Sequence, residues 1–401
     1  MEKLFEKVAA KPTNEKWLNM IKRENELYTR KGDVRSEFER DYTRILHCDA
    51  YKRLKHKTQV FFSPSNDHIC TRIEHVQHVE SISHTIAEYL GLNTELTKAI
   101  AIAHDLGHSP FGHAGEKILN EISMKDIGEP FWHERNGVYM VDNIELLEDD
   151  KGNLQNINLT YAVRDGIISH CGEIDENSVK PREEAIDLIS YTKPNEYAPY
   201  TWEGCVIKVS DKISYIGRDI EDALSLKLLD KNKILELKKI LGLKQDEALN
   251  NTRIINDLIV DICKNSTVEK GLCFSKEKLK LIDGIKKYNY ENIYRNKRMD
   301  ASNEYFKIVL NRIYITLKDL YNGENIEKSF SNAQKFYPNV IPQFKEWLER
   351  YWSFRDENRN ELKNKIIFEN KEKDYCKAII EFISGMTDNF AIDVYNEIIR
   401  F

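Results

Sequence analysis

The sequence predicts an all-α protein, and three observations carry that expectation. Apolar residues recur every three or four positions over long stretches, the spacing of one helix face. Only nine prolines interrupt 401 residues, and Gly-rich turns are few. Ile73, Val76, Val79, Ile82, Ile86 and Leu90 form a stripe that predicts one helix, stopped by Gly91. Leu96, Ala99, Ile100 and Ala103 predict the next, with Asn93 or Thr94 as its cap. Tyr191–Tyr200 (YTKPNEYAPY), with two prolines, is the clearest loop. Cys205–Leu224 predicts a third helix. The run Val206-Ile207-Lys208-Val209 would suit a strand by itself, but the spacing that follows it favours helix.

The composition is that of an ordinary globular chain, with 41 % apolar and 31 % charged residues. No apolar run approaches the roughly 18 residues of a membrane span, the densest being Ala99–Ala103. Met1–Ala10 carries Glu2, Lys3, Glu6 and Lys7 and has no signal-peptide hydrophobic region, so neither membrane nor export is expected. Seven scattered cysteines without a CxxC pair read as reduced thiols in a cytoplasmic setting. A net charge of −6 gives no global reason to expect nucleic acid. Residues 226–300, however, hold 17 Lys and Arg against 11 Asp and Glu. That local excess is either a set of solvated helix faces or a surface for single-stranded nucleic acid. Without repeats, low-complexity tracts or an obvious linker, residues 1–401 read as one unit.

All eleven histidines lie between His47 and His170, and such crowding signals a site. His104-Asp105 ends an apolar helix, before Leu106-Gly107 and a break at Pro110. His75 precedes Val79 by four residues and Ile82 by seven, so it faces the buried side of its helix. Alone, each would be an ordinary core histidine; together they offer two imidazoles and a carboxylate from adjacent helices. Asp211, set among Val206, Ile207, Ile213 and Ile216, supplies a fourth donor, because a buried carboxylate is costly unless paired or bound to a cation. Such a set suits one divalent ion, Mn, Mg or Fe before Ni or Zn. It would polarise a phosphoryl oxygen and acidify a bound water.

The motifs that carry a family resemblance are Arg35–Phe61 (RSEFERDYTRILHCDAYKRLKHKTQVF), Thr71–Val79 (TRIEHVQHV), Ala101–Glu116 (AIAHDLGHSPFGHAGE) and Phe131–Asn136 (FWHERN). Asn158–His170 (NLTYAVRDGIISH), Val206–Leu224 (VIKVSDKISYIGRDIEDAL) and Ile383–Ile398 (ISGMTDNFAIDVYNEI) continue it. In these segments the chain resembles the HD-domain deoxynucleoside triphosphate triphosphohydrolases, the bacterial dGTPase-like family and its animal restriction-factor relative. The likeness frames nearly the whole chain, weakest over Lys231–Asn370. It implies an HD-domain helical core over about 35–225 with added N- and C-terminal helices. The helical region 226–401 would then serve oligomerisation or regulation.

The resemblance implies His75, His104, Asp105 and Asp211 as metal ligands, in agreement with the reading above. It implies that His113 stands near the scissile α-phosphate. Glu116, on the same helix face, would orient that imidazole. His133 matches a further active-site histidine; otherwise it is a surface residue beside Trp132. Arg72 and Lys212 match phosphate-contacting positions, and a triphosphate needs cations beyond one metal. Arg53 lies in the basic run Tyr51–Lys57, which serves equally as a solvated face. Tyr215 and Asp219 follow Asp211 at helical spacing; the resemblance implies that they meet the sugar and its 3′-hydroxyl, with Gln59 assisting. A ring against C2′ would select deoxy over ribo substrates. Many bacterial members have two acids where this chain has Asp211-Lys212; the Asp-Lys form occurs in the restriction-factor relative.

The implied reaction is metal-dependent hydrolysis of a dNTP to deoxynucleoside and inorganic triphosphate, with a second metal entering with the triphosphate. A homo-oligomer and a nucleotide effector also belong to the family picture. Tyr294–Arg298 (YRNKR) is either an effector contact or exposed helix charge. The four metal ligands alone would equally serve a deoxynucleotide 5′-nucleotidase or a signalling-nucleotide hydrolase. A regulatory nucleic-acid binder on the same fold is the reading from a different class.

Overall fold

The computed structural model describes residues 3–27, 32–62, 66–171, 178–323, 326–352, 366 and 371–400. Its helices are α1 (Trp17–Met20), α2 (Glu37–His47), α3 (Asp49–Arg53), α4 (Arg72–Leu90), α5 (Thr94–Ala103), α6 (Gly112–Asp126), α7 (His133–Tyr139) and α8 (Tyr161–Ser169). They continue with α9 (Trp202–Ser225), α10 (Lys231–Ile240), α11 (Asn251–Asn265), α12 (Lys276–Asn289) and α13 (Lys297–Lys318). The last four are α14 (Ile326–Ala333), α15 (Val340–Tyr351), α16 (Lys371–Ser384) and α17 (Asp388–Ile399). The protein is therefore all-α, apart from a small hairpin of β1 (Leu146–Glu148) and β2 (Leu154–Asn156), antiparallel with Leu147 opposite Gln155.

Local chemistry explains the helix bounds. Thr71 and Glu74 form a reciprocal capping box at the start of α4, and Gly91 ends it with φ +88°, a left-handed conformation that costs glycine little. Asn93 caps α5 by accepting from the amides of Glu95 and Leu96. Thr201 caps α9, which starts three residues before Cys205 and runs through Val206–Val209 as helix. Tyr191–Tyr200 is irregular, as its prolines predict.

Helix α5 organises the interior. Ala99–Ala103 are buried on every side, the pattern of a helix surrounded by others rather than lying on a surface. Its neighbours are α2, α4, α8 and α9. One apolar cluster packs Ile82 and Ile86 of α4 against Val209 and Ile213 of α9, with α11 and α12 beyond. A second joins Phe38 of α2 and Val163 of α8 to α5. A third packs Leu119 of α6 against Val309 of α13 and Ile379 of α16. Helices from 226–401 thus cover two faces of the earlier helices.

Candidate active site

The end of α5, the first turns of α4 and the middle of α9 converge. His75 Nε2 stands 3.0 Å from Asp211 Oδ1 and 3.4 Å from His104 Nε2. Asp105 lies 3.5 Å from His104 Nε2 and 3.8 Å from His75 Nε2. Donors on adjacent corners of an octahedron with bonds of about 2.1 Å are themselves about 3 Å apart, so this spacing fits a divalent ion. His104 Nδ1 faces the Ala101 carbonyl at 2.6 Å; donating there leaves the Nε2 lone pair for a cation. His75, His104 and Asp105 are buried, whereas the Asp211 carboxylate keeps 17 % exposure and opens toward solvent. Burial favours a neutral Asp105, but His108, Arg72 and His104 outweigh it and hold the carboxyl well below the usual range. Arg72 donates to Asp105 at 2.7 Å, and His108 Nε2 lies 3.0 Å from the other oxygen.

A close chain crossing brings α7 to this group. A Cβ on Gly107 would overlap the His133 carbonyl and the Gly137 amide, so only glycine lets the two backbones touch. Asn136 donates to the Gly107 carbonyl at 2.7 Å and fixes the crossing. His133 consequently stacks on His108, ring centroids 3.7 Å apart. Glu116 reaches His133 Nδ1 at 2.6 Å but is 3.9 Å from His113, so its orienting contact falls on His133 rather than on its helix neighbour. Glu116 thus stands within reach of both imidazoles, the tertiary partner closer than the expected i+3 partner. Nor is His133 a surface residue, being 3 % exposed. Burial pushes its imidazole down, but Glu134 and Glu116 outweigh that and raise it well above the ordinary histidine range. For Glu116, burial works upward and the His133 charge prevails, holding the carboxyl well below its usual range.

A cavity of 860 Å³ joins these groups, within the size range of small-molecule sites. His75, Asp105, Asp211, Arg72, His113 and His133 line it, as do Gln59, Lys212, Tyr215 and Asp219. His113, with a 70 % exposed side chain, stands at its open side. The amide oxygen of Gln59 is buried with no partner among the described residues, an acceptor that a ligand hydroxyl would satisfy. Tyr294 donates to Asp219 from the far wall, and burial pushes that carboxyl up to about 7.

Arg53 is the predicted residue that the structure does not bring here. Its guanidinium donates to Glu145 at 2.8 Å, and the other oxygen of Glu145 accepts the amides of Asp49 and Ala50 at the start of α3. Of Tyr294–Arg298, Arg295, Lys297 and Arg298 are exposed, as the charged-face reading expects, while Tyr294 and Arg298 also line the cavity. Sequence reasoning passed over His108, His170, Cys171 and Lys208 as site residues, and did not pair Tyr294 with Asp219. Lys208 precedes Asp211 by three residues on α9, so helical spacing could have found it, while His108 follows Asp105 in the turn after α5. The contact of Tyr294 with Asp219 spans 75 residues and leaves no local signal.

The chain is similar to known proteins over most of its length. The model of the HD domain family matches residues 72–216. A deoxyguanosinetriphosphate triphosphohydrolase-like protein of Caldanaerobacter subterraneus subsp. tengcongensis is 31 % identical over 369 residues, covering 92 % of this chain and 86 % of its own. Proteins of the same description from Rickettsia felis and Rickettsia rickettsii are 31 % and 32 % identical, each alignment covering 91 % of this chain and 92 % and 91 % of theirs.

Proposed function

The chain belongs to the HD-domain, deoxyguanosinetriphosphate triphosphohydrolase-like family, and from that membership we propose that it hydrolyses deoxynucleoside triphosphates to deoxynucleoside and inorganic triphosphate. The observation that carries the reading is one cavity lined together by the donors His75, Asp105 and Asp211, the cations Arg72 and Lys212, and the Gln59, Tyr215 and Asp219 side chains. His75, His104, Asp105 and Asp211 would hold a divalent ion, Mn, Mg or Fe before Ni or Zn. When bound, that ion supplies polarisation of a phosphoryl oxygen and acidification of water.

The chain's own residues account for the rest. Arg72 and Lys212 neutralise phosphate charge and hold the α-phosphorus in line for water. Tyr215 packs on the deoxyribose, while Asp219 and Gln59 engage its 3′-hydroxyl. Attack of water forms one P–O bond and breaks the bond to O5′, which must take a proton. His133, whose pKa Glu134 and Glu116 raise, and His113, 5.5 Å from it ring to ring, form the pair assigned to deliver that proton. A homo-oligomer and a nucleotide effector are part of the same reading.

The test is incubation with Mn²⁺ and each dNTP, singly and mixed, with products resolved by ion exchange. Deoxynucleoside with intact triphosphate is expected. Turnover of mixtures alone identifies an effector requirement. Hydrolysis of deoxynucleoside monophosphates, with every triphosphate untouched, would overturn the assignment.

A further inference from the structure

The cavity wall carries a second donor cluster that the HD set does not use. His170 follows α8, Cys171 comes next in the chain, and His133 opens α7. Cys171 Sγ stands 3.4 Å from His133 Nε2 and 3.4 Å from His170 Nε2, and the three atoms lie within 4.8 Å of one another. Tetrahedral zinc, with bonds of about 2.3 Å to sulfur and about 2.0 Å to nitrogen, separates those donors by about 3.5 Å. The observed spacing is that of such an edge.

Both rings are already turned for the task. His133 Nδ1 faces Glu116 at 2.6 Å, and His170 Nδ1 faces the Ile167 carbonyl at 2.7 Å. An acceptor behind each imidazole leaves Nε2 toward the sulfur, the outer arrangement that orients metal-binding histidines. The donor chemistry also differs from that of the HD set. Two imidazoles and a thiolate favour zinc-like cations over Mg or Mn, which prefer oxygen. His133, His170 and Cys171 all line the cavity, so an ion has a path inward and solvent can complete its shell.

We propose that His133, His170 and Cys171 form a second cation site, selective for Zn²⁺ and similar thiophilic ions and adjoining the His75–His104–Asp105–Asp211 set, whose His104 and Asp105 donors also lie within 4.8 Å of His170. On binding, the Cys171 thiol forms the metal–sulfur bond and its proton passes to solvent; no oxidation is involved. An ion on His133 Nε2 excludes the proton assigned to that residue. Zn²⁺ is therefore an inhibitor of the reaction proposed above, a consequence that rests on that reading, whereas the site itself does not.

The experiment titrates metal-free protein with Co²⁺, reading ion stoichiometry by equilibrium dialysis and the near-ultraviolet thiolate-to-cobalt charge-transfer band. Wild type is expected to bind two ions and show the band. C171S should bind one and lose the band. H170Q should lose it with the thiol intact, and D211A should bind one ion and keep it. A wild type without the band, or a band that survives in C171S, overturns the site. In turnover assays with Mn²⁺, the half-inhibitory Zn²⁺ concentration should rise at least about tenfold in C171S. Equal zinc sensitivity would refute the inhibitory role while leaving the spectroscopic result to judge the site.

Discussion

His133 meets three constraints at once: a carboxylate on Nδ1, a stacked imidazole on its face and a thiol at Nε2. Its raised pKa makes a signed prediction. E116Q removes one of the charges that keep the ring protonated, so the ring loses its proton at lower pH. If O5′ is protonated from the His133–His113 pair, the alkaline limb of the kcat profile shifts to lower pH and turnover near neutrality falls about 10²-fold. An unmoved limb removes His133 from that role. H113A should likewise collapse turnover while metal content stays intact, and equal activity would sink its assignment. At the ion, D211N should lose both bound metal and about 10³-fold or more in turnover, since metal stabilisation is worth several kcal/mol; retained metal would show that the other three donors suffice. Residue types and local spacing made His75, His104, Asp105 and Asp211 legible, because each needs only its own helix to be read. Glu116 was legible as a participant but not by partner, because His133 reaches it across a chain crossing 17 positions away.

At the scale of elements, that crossing is the decisive joint. G107A should destabilise the protein by about 1–3 kcal/mol, since neither the His133 carbonyl nor the Gly137 amide can swing aside as a side chain can. Urea unfolding measures it, and wild-type stability in G107A would show that the backbones part easily. Helices α4, α5 and α9 were readable nearly to their ends, from stripe and Gly91 stop in α4, stripe and Asn93 cap in α5, and spacing alone in α9. The approach of α7 was not readable, because Gly107 and Gly137 mark contact without naming the partner. A second joint ties α16 and α17 to the loop before α6. Buried Lys57 donates to the carbonyls of His108 and Ser384, and Asp388 accepts the amides of Thr58 and Phe111 at 2.8 Å each. Phe111 there adopts φ +63°, a left-handed turn that starts α6.

Across the whole molecule, the C-terminal helices also set a pH dependence. Glu381 of α16 is buried, accepts from Trp352 at 3.1 Å and has one oxygen without a partner among the described residues. Burial, eased by Lys377 and by Tyr139 and Trp352, pushes its carboxyl from 4.5 up to about 7. A folded-state pKa above the unfolded value means that stability is full below about pH 4.5 and declines as pH rises through about 7. E381Q should therefore gain on wild type by an amount on the order of 1–3 kcal/mol between pH 5 and pH 8. An equal difference at both pH values would show that Glu381 does not titrate in that window. The wall formed by Asp219 and Tyr294 reaches further. The HD family match ends at Ile216, three residues before Asp219, and the hydroxyl that holds Asp219 comes from beyond it. On the proposed reading the sugar wall is divided, Tyr215 lying within the family match and Asp219 with its Tyr294 partner beyond it. Substitutions beyond Ile216 would then alter that wall while leaving His75, His104, Asp105 and Asp211 untouched.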